Sequence, residues 1–589
     1  MIQEVLVTTS GHNGPISGVA TNRNNYVLSA GYDNRVILWE HRERRAVSRA
    51  WHDHLANSCS FSPDGRLALS ASSDHTVRLW TIPDLKLAAV LTGHEDDVEM
   101  AVFHPTRPLV ATASRDHRVR VFGFDGALVV TMTGHEADVI SVQWNTEGDE
   151  LVSSSDDGTI RRWSLETGAQ LEELDMAGVE TDTIAVAPDG RIFAGDDDGR
   201  LTAIAGDRRE TVSAHEAGIK RLVLDSAEPL LVSLSYDRTM RLWDVAGDRP
   251  EPVATATLPD DVWPRSCAFL DSQTLVFATF GASYRTYDVT EGRWHDEQVA
   301  ATPGVNAVAE IDGHVLSVGD AGRVIDAEHG EVVGEVGSLA NFLTPLGDLV
   351  LTGGQLGRVF DARTGRVLHQ HRSPLNCGVR FERDGREHAL IGTYTGEGLV
   401  FTTDGDGIRL VAELRLHDNA VKAVAVSGGT LFSVAADAGA TWVATATLEV
   451  VARVADGHTK IANGCTGLGD EQRFASVSRD LQLRIWDVGQ CTLTTPTPHD
   501  HSVKCVAASP DGRLVATASY NGFAAVYDRA TDSWPVQVRL SMTGISSLAY
   551  SERRGEFLAG SYDGTVHTLS ALDASAKAQP LKGLAGVVR

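Results

Sequence analysis

The hydrophobic and polar positions of the chain form one recurring unit. A run of small residues leads into a tight turn, and an alternating β-rich run then ends in a large apolar residue. Three copies read SAGYDNRVILW at 29–39, ASSDHTVRLW at 71–80 and LSYDRTMRLW at 234–243. A turn of Asp with Asn, Gly, His or Arg between two alternating runs predicts a β-hairpin.

This hairpin recurs fourteen times, at intervals of 35 to 44 residues that are mostly 41 or 42. Such a period is typical of one four-stranded propeller blade. We therefore predict an all-β fold of four-stranded antiparallel blades. The closing apolar residues are Trp39, Trp80, Phe122, Trp163, Ile204, Trp243, Tyr287, Ile325, Phe360, Phe401, Val443, Trp486, Tyr527 and Leu569.

The number of units predicts two domains. Propellers have four to eight blades, so fourteen units divide into two seven-bladed β-propellers in tandem, at residues 1–296 and 297–589, with degenerate repeats at 297–405. We expect the segment Ile2–Thr9 to complete the seventh blade and close the first ring. Either the tail Asp573–Arg589 or the segment Trp294–Ala300 would close the second ring.

The repeat resembles that of the WD-repeat β-propeller family. Many hairpins follow a Gly-His dipeptide, as at Gly93-His94, and a Pro-Asp-Gly turn, as at residues 63–65. The resemblance covers nearly the whole chain and implies fourteen WD-type repeats of a tandem (double) propeller protein. It also gives a structural role to the Asp that stands six positions before the closing residue. This Asp occurs at Asp33, Asp74, Asp116, Asp157, Asp198, Asp237, Asp437, Asp480 and Asp563, with Asn521 as a substitute, and units seven to ten hold Gly281, Gly319, Gly354 and Thr395 instead.

In the family, the turn Asp accepts a hydrogen bond from a His that precedes the blade, and that His is linked through a strand hydroxyl to the Trp. The resemblance therefore implies a structural network and not a catalytic relay, because five copies cannot all be active sites. The five complete sets are His12/Asp33/Trp39, His52/Asp74/Trp80, His135/Asp157/Trp163, His215/Asp237/Trp243 and His458/Asp480/Trp486.

The family also implies where partners bind. Its exposed top rim takes the residues that flank the first apolar residue of each inner strand, and the residue before the turn Asp. One sector of the first ring is then acidic, through Asp97, Glu99, Asp138, Asp156, Glu180, Asp182 and Asp197, with Arg115 as an exception. Cations and aromatic anchors complete the candidates, which are Tyr32, Lys220, Tyr236, Trp263 and Arg265 in the first ring and Lys422, Lys460, Arg479, Lys504, Tyr520 and Tyr562 in the second.

Composition narrows the partners and the compartment. Acidic residues outnumber basic ones by 79 to 52, giving a net charge of −27. This charge repels phosphate backbones and anionic lipids, so nucleic acid is an unfavoured partner and no membrane association is expected. The chain start lacks a basic and apolar leader, and the six cysteines form no C-x-x-C pair, which favours a cytoplasmic protein.

The usual signatures of catalysis are absent from the sequence. We find no G-x-S-x-G elbow, phosphate-binding loop or H-E-x-x-H motif, and we predict neither an enzyme nor a cofactor. His-Asp-His triplets at 52–54 and 499–501 offer metal donors, but the family assigns the first His of each to the blade. Acidic turns at 196–199 and 404–407 lack the terminal Glu of a calcium loop, so no metal is predicted.

We therefore predict a non-enzymatic scaffold that holds one or more partner proteins on the rims of two propellers. It would be monomeric by itself or a subunit of a hetero-complex. Two alternatives stay open: a propeller lyase or hydrolase with a central top-face pocket, and a nucleic-acid-binding rim on the second propeller. The regular, Ala- and Arg-rich repeats favour a bacterial source.

Overall fold

A computed structural model describes residues 11–295, 299–469, 471–570 and 579–581. Over these ranges every regular element is a β-strand, and the strands form fourteen antiparallel four-stranded sheets, each from four strands consecutive in sequence. The all-β prediction is therefore confirmed. The chain divides into two compact units, Met1–Thr302 and Pro303–Arg589. The segment Ile2–Thr9, predicted to close the first ring, lies outside the described residues.

The first unit contributes seven of the described sheets, and its strands follow one another without interruption by another element. Strands β1–β28 are Ile16–Thr21, Tyr26–Gly31, Arg35–Glu40, Arg45–Trp51; Ala56–Phe61, Leu67–Ser72, Val77–Thr81, Lys86–Leu91; Val98–Phe103, Leu109–Ser114, Arg118–Gly123, Leu128–Thr133; Val139–Trp144, Glu150–Ser155, Thr159–Ser164, Gln170–Asp175; Thr183–Val186, Ile192–Gly195, Arg200–Ala205, Arg208–Ser213; Ile219–Leu224, Leu230–Ser235, Thr239–Asp244, Glu251–Thr257; Val262–Asp271, Thr274–Thr279, Arg285–Asp288 and Arg293–Trp294.

The second unit contributes the other seven described sheets. Strands β29–β56 are Val305–Ile311, His314–Gly319, Arg323–Asp326, Glu331–Glu335; Thr344–Leu346, Leu349–Gly353, Arg358–Asp361, Val367–Gln370; Leu375–Arg383, Arg386–Thr393, Glu397–Asp404, Gly407–Arg415; Val421–Ser427, Thr430–Ala435, Ala440–Ala444, Val450–Val454; Ala462–Gly467, Phe474–Ser478, Gln482–Asp487, Gln490–Pro496; Val503–Ala508, Leu514–Ser519, Phe523–Asp528, Ser533–Arg539; Ile545–Ser551, Glu556–Ser561, Val566–Ser570 and Gln579–Pro580.

In each unit the first sheet packs against the last. In the first unit Ile16 of β1 shares an apolar core with Val276 of β26, and the Val19 backbone N–H donates to Ser266 Oγ at 3.0 Å. In the second unit the Val308 N–H donates to Ser547 Oγ at 3.0 Å, which joins β29 to β53. Consecutive sheets bury their apolar faces between them, so each unit is a closed cycle of packed sheets.

The pairing of the last strands shows which of the two candidate segments supplies the outer strand that closes the second unit. Pro580 of the tail pairs with His567 of β55 and supplies the fourth strand of the last sheet. Trp294 belongs instead to β28, where it pairs with Tyr287 in the last described sheet of the first unit. The tail therefore contributes the outer strand of the second unit.

The fourteen closing apolar residues all lie on the third strand of their sheet, but two of the assignments are wrong in register. In the first sheet the closing residue Trp39 pairs with Val27 and lies eight residues after Gly31. In the eighth sheet Ile325 pairs with Ser317, which places it two positions before the one that corresponds to Trp39. Phe360 is displaced in the same way, since it pairs with Thr352. The equivalent positions hold buried Ala327 and Ala362.

The register error also moves the turn positions of these two sheets. Gly319 and Gly354 are equivalent to Gly31, and the position of the turn Asp holds Ala321 and Leu356. A Cβ at Gly319 would lie 1.8 Å from the carbonyl oxygen of Gly304, so close backbone approach excludes a larger side chain there. The residues at the true closing positions, Ala327 and Ala362, are small. The sequence pattern therefore assigned the closing position to the nearest large apolar residue.

All six cysteines are free thiols, and five of them are buried or half-buried. Burial raises the pKa of Cys59, Cys267, Cys377 and Cys505 to about 12. Because the thiolate is the reactive form, we expect only the exposed Cys491 to react quickly with a disulfide reagent at pH 8. Counting thiols before and after denaturation tests this, with one fast thiol expected in the folded protein and six in urea; two or more fast thiols would contradict it.

Candidate functional site

In each of five sheets a hydrogen-bonded set links the loop before the sheet, the turn between the second and third strands, and those two strands. In the fourth sheet His135 Nδ1 donates to Asp157 at 2.8 Å, and Ser153 Oγ lies 2.8 Å from both His135 Nε2 and Trp163 Nε1. The hydroxyl accepts from the indole and donates to the imidazole. The four other sets use Ser29, Ser70, Ser233 and Ser476 in the same way, with His12/Asp33/Trp39, His52/Asp74/Trp80, His215/Asp237/Trp243 and His458/Asp480/Trp486.

These sets hold the turn carboxylates ionised inside the protein. Burial opposes the ionisation of Asp157, but hydrogen bonds from His135 and Thr159 outweigh it and keep the pKa of this carboxyl below its ordinary value. The same balance lowers the pKa of Asp237 to about 2. Each set is saturated with partners inside its own sheet, which is the arrangement of a structural network.

Two further sets were missed by the sequence analysis. His94 Nδ1 lies 3.0 Å from Asp116, and its Nε2 lies 2.7 Å from Thr112 Oγ1. His417 likewise lies 3.2 Å from Asp437 and 2.9 Å from a strand serine. Their closing residues are a Phe and a Val, so a search that required Trp passed over them. The spacing of 20 to 22 residues from His to Asp would have found both.

In the first unit the predicted rim residues meet in one cluster. Arg115 lies 2.5 Å from Glu99 and also pairs with Asp138, while Lys220 lies 2.5 Å from Asp182 and also pairs with Asp197. Arg265 of the seventh sheet reaches Glu99 of the third at 3.0 Å. These contacts join loops and strands of five sheets. We name Glu99, Arg115, Asp138, Asp156, Asp182, Asp197, Lys220 and Arg265 the charge cluster.

The predicted rim residues of this sector are not all exposed. Asp97, Glu99 and Trp263 are buried, with exposures of 5%, 8% and 6%. Asp97 accepts a hydrogen bond from Ser73 at 2.8 Å, so its charge is directed into the protein. Arg115, the predicted exception, and Lys220 of the sixth sheet are set among its carboxylates. Sequence periodicity gives the position of a residue in its repeat, but these partners come from other repeats.

Burial and mutual repulsion shape the electrostatics of the charge cluster. Burial raises the pKa of Asp138, Asp156 and Asp197, and neighbouring carboxylates raise each further. Lys220 has a pKa well above its ordinary value, because the nearby carboxylates outweigh the burial that opposes its charge. Glu180, the remaining acidic candidate, is half-buried and contributes to the repulsion at Asp156. The cluster thus holds more carboxylates than cations in a poorly solvated place.

Aromatic side chains adjoin the charge cluster. The Lys220 ammonium lies 5.2 Å from the centroid of the Tyr236 ring, and the Arg265 guanidinium lies 5.5 Å from that of Trp263. Tyr32 meets Trp263 edge-on, with centroids 5.2 Å apart. Cations over aromatic faces and buried ring pairs add attraction and rigidity to this surface.

The second unit brings lysines and tyrosines together. Lys422 lies 5.3 Å from the Tyr394 ring centroid, and Lys504 lies 5.7 Å from that of Tyr520. Tyr520 stacks on Tyr562 at 6.3 Å with an interplanar angle of 13°. In the fifth sheet of this unit Lys460, in the loop before β45, and Arg479, in the turn after β46, are both half-buried. Tyr394 was missed, although it precedes a turn position just as Tyr236 and Tyr520 do.

Comparison with known proteins identifies the repeat. A family model described as "WD domain, G-beta repeat" matches residues 3–40, 47–81, 85–123, 126–164, 206–244 and 489–528. The chain carries WD40 repeats. Five of the matched WD40 segments fall in the first unit and one in the second.

Three of the proteins to which the chain is similar come from eukaryotes. The chain is 29% identical over 192 residues to the nuclear distribution protein nudF of Aspergillus niger, covering 28% of this chain and 42% of that protein. It is 23% identical to a guanine nucleotide-binding protein subunit beta-like protein of Encephalitozoon cuniculi, over 42% of this chain and 85% of that one. It is 31% identical to Elongator complex protein 2 of Danio rerio, over 37% of this chain and 29% of that one. The chain thus spans less than half of its nudF relative.

The described residues include no helix long and apolar enough to cross a membrane.

Proposed function

We propose that the protein is a non-enzymatic protein–protein interaction scaffold whose two units are seven-bladed WD40 propellers. Partner proteins would bind the surface formed by the residues before the turns and at the starts of the inner strands. The two units would hold different partners, because their surfaces differ in charge.

The propeller assignment is supported by the cycle of sheets in each unit. Each cycle has seven described sheets, and its first sheet packs on its last, as β1 does on β25. The His-Asp sets add rigidity to most blades of the first unit. A rigid ring whose loops all emerge together presents a broad preformed surface, which lowers the entropic cost of binding a protein.

The charge cluster is the observation that carries the proposal. Ion pairs such as Arg265 with Glu99 connect sheets that are distant in sequence, so side chains from five repeats share one surface. Structural stability does not require charges there, since apolar residues fill the contacts between sheets elsewhere. Clustered charges beside Tyr and Trp are typical of surfaces that select a protein partner.

The second unit supports a second and different binding surface. Lysines over tyrosine rings, such as Lys422 over Tyr394, offer cations and aromatic faces together. On a chain with a net charge of −27, this local excess of basic residues favours an acidic protein segment.

The relatives support a role inside assemblies. Their names include a G-protein subunit and a component of the Elongator complex. We propose by analogy that this chain is monomeric by itself or a subunit of a hetero-complex, and that it works in the cytoplasm. A bacterial source remains our proposal from the regularity of the repeats.

Affinity capture of the tagged full-length protein from its native cells tests the scaffold role. We expect Tyr236→Ala to release one set of partners and Tyr520→Ala another. Leu128→Ala is the control, since Leu128 is 53% exposed on the outer strand β12 and lies away from both surfaces. Partners that stay bound to both tyrosine variants as they do to the control would contradict the proposal.

A further inference from the structure

Two exposed histidines converge on one buried carboxylate in the eighth sheet. His314 Nδ1 lies 2.9 Å from Asp326 Oδ2, and His329 Nδ1 lies 3.0 Å from the same oxygen. The Asp326 side chain is 6% exposed, whereas those of His314 and His329 are 60% and 61% exposed. One candidate ligand atom from each residue lies within 4.8 Å of the other two. Two imidazoles and a carboxylate therefore meet at a place that solvent can reach.

The backbone holds these three residues at one end of neighbouring strands. His314 begins β30 directly after a two-residue turn, Asp326 ends β31, and His329 lies in the four-residue loop before β32. Oδ1 of Asp326 accepts hydrogen bonds from the N–H groups of Glu328 at 3.0 Å and His329 at 3.3 Å, so Oδ2 is left to the two rings. The three residues are twelve and three positions apart. The sequence analysis tested adjacent His-Asp-His triplets and therefore did not bring them together.

These two histidines differ from the histidines of the blade networks. His135 is buried, and both of its ring nitrogens have partners within its own sheet. In His314 and His329 only Nδ1 makes a hydrogen bond to the described residues, so Nε2 can carry its proton in water. In that tautomer each Nδ1 offers a lone pair toward Asp326 Oδ2, and a neutral imidazole with a lone pair is the form that ligates metals.

The charges at this place favour a bound cation. Burial opposes the ionisation of Asp326, but hydrogen bonds from His329 and His314 outweigh it and lower the pKa of this carboxyl. The hydrogen bond to Asp326 in turn raises the pKa of His329, which shows that the site attracts positive charge. Arg553 of the last sheet reaches the same loop, where it pairs with Glu328 at 2.6 Å, so a carboxylate already compensates its charge.

We infer that His314, Asp326 and His329 bind one divalent transition-metal ion, of which Zn²⁺ fits the ligands best. Zinc takes imidazole nitrogen and carboxylate oxygen together, and three protein ligands leave a fourth position for water. Magnesium and calcium prefer oxygen ligands throughout. Two atoms bound at about 2.0–2.1 Å to one tetrahedral zinc ion are about 3.3 Å apart, so each histidine ring needs to move only a few tenths of an ångström.

The inferred metal site is separate from the surface proposed to bind partners. That surface takes the residues before the turn between the second and third strands, which in this sheet covers residues 320–322. The metal ligands lie at the opposite end of β30 and β31. The inference therefore goes beyond the proposed function and does not depend on it.

Zinc titration of the metal-free, full-length protein against a chromophoric chelator tests the inference, and we expect one tightly bound ion per chain. His314→Ala and His329→Ala should each weaken zinc binding about tenfold or more, since loss of a ligand costs at least as much as loss of a group that orients one. His501→Ala is the matched control. His501 lies 3.0 Å from Asp500, and no second histidine among the described residues hydrogen-bonds that carboxylate. We expect this control to change the affinity less than twofold, and excess Mg²⁺ not to compete.

Melting temperatures separate loss of the site from loss of the fold. Zinc should raise the melting temperature of the wild type and of His501→Ala, because it binds the folded chain, but not that of the double variant His314→Ala/His329→Ala. Three results would overturn the inference: a wild type that binds no zinc, a double variant that binds zinc as tightly as the wild type, or equal loss in His501→Ala. None of these results decides the scaffold proposal, which the capture experiment tests separately.

Discussion

Asp157→Ala is expected to reduce the free energy of unfolding by about 3–5 kcal/mol. The carboxylate accepts four hydrogen bonds, from His135 Nδ1 at 2.8 Å, the Glu136 N–H at 3.0 Å, and the N–H and hydroxyl of Thr159 at 2.9 and 2.7 Å. Alanine leaves the buried His135 ring and the donors of Glu136 and Thr159 without this acceptor. Urea unfolding followed by tryptophan fluorescence measures the loss, since Trp163 belongs to the same set.

Asp198→Ala provides the matched control. Asp198 occupies the equivalent turn position of the next sheet, but no histidine among the described residues hydrogen-bonds it, and its side chain is 53% exposed beside Arg200. We expect its loss to change stability by less than about 1 kcal/mol. Equal effects of the two variants would show that the turn, and not the network, provides the stability.

Acid should reduce the effect of Asp157→Ala. The folded protein lowers the pKa of Asp157, so the stabilisation is fully present above the pKa of an unfolded Asp, about 4. It is lost as the pH falls through the lower, folded value. The difference between the wild type and the variant should therefore narrow below pH 4; a difference that stays constant down to pH 2 would exclude a role for the ionised carboxylate.

Phe401→Ala is expected to cost about 3–5 kcal/mol, because it removes a fully buried ring from a core that contains Leu346 and Leu351. Ile325→Ala should cost only about 1 kcal/mol, since Ile325 is half-buried and lies two positions before the deep place on its strand. Both residues close a hairpin in the sequence pattern, so the pair tests the register found in the structure. Thermal unfolding of the two variants measures the difference.

A substitution at Ala327 provides a second test of the strand register in the eighth sheet. Ala327 is fully buried at the position where most sheets have a large apolar residue. Ala327→Leu should destabilise the protein by about 1–3 kcal/mol through overpacking. If Ile325 were the deep residue, Ile325→Ala would cost as much as Phe401→Ala, and Ala327→Leu would be tolerated.

The regular repeats were predictable because their signals are local. The turn at Asp157 and the closing Trp163 lie within one hairpin, and His135 precedes the same blade, so a fixed spacing relates all three. Ile325 shows the limit of this approach, because its register depends on the pairing of Ser317 and on the close backbone approach at Gly319.

The candidate site was predicted as a set of positions but not as a surface. Periodicity located Asp138, Asp182 and Lys220, since each lies at a fixed place in its own repeat. Their contacts could not be predicted, because Lys220 reaches Asp182 and Asp197 from a different sheet. Whether a rim carboxylate is exposed, paired or isolated depends on the neighbouring loops and on the solvent that they exclude.

The sequence by itself determined that the chain is all-β, that four-stranded units recur along it, and which residues stand at the turns and deep positions of most of them. Short-range hydrogen bonds and the alternation of side chains along strands control these features, and both depend on residues that are close together in the sequence. Only the tertiary structure decided that the first sheet of each unit packs on its last, that Asp97 and Glu99 are buried, and that Oδ1 of Asp156 is enclosed without a donor among the described residues. These depend on side chains from distant repeats, whose distances and solvation exist only once the sheets have packed together.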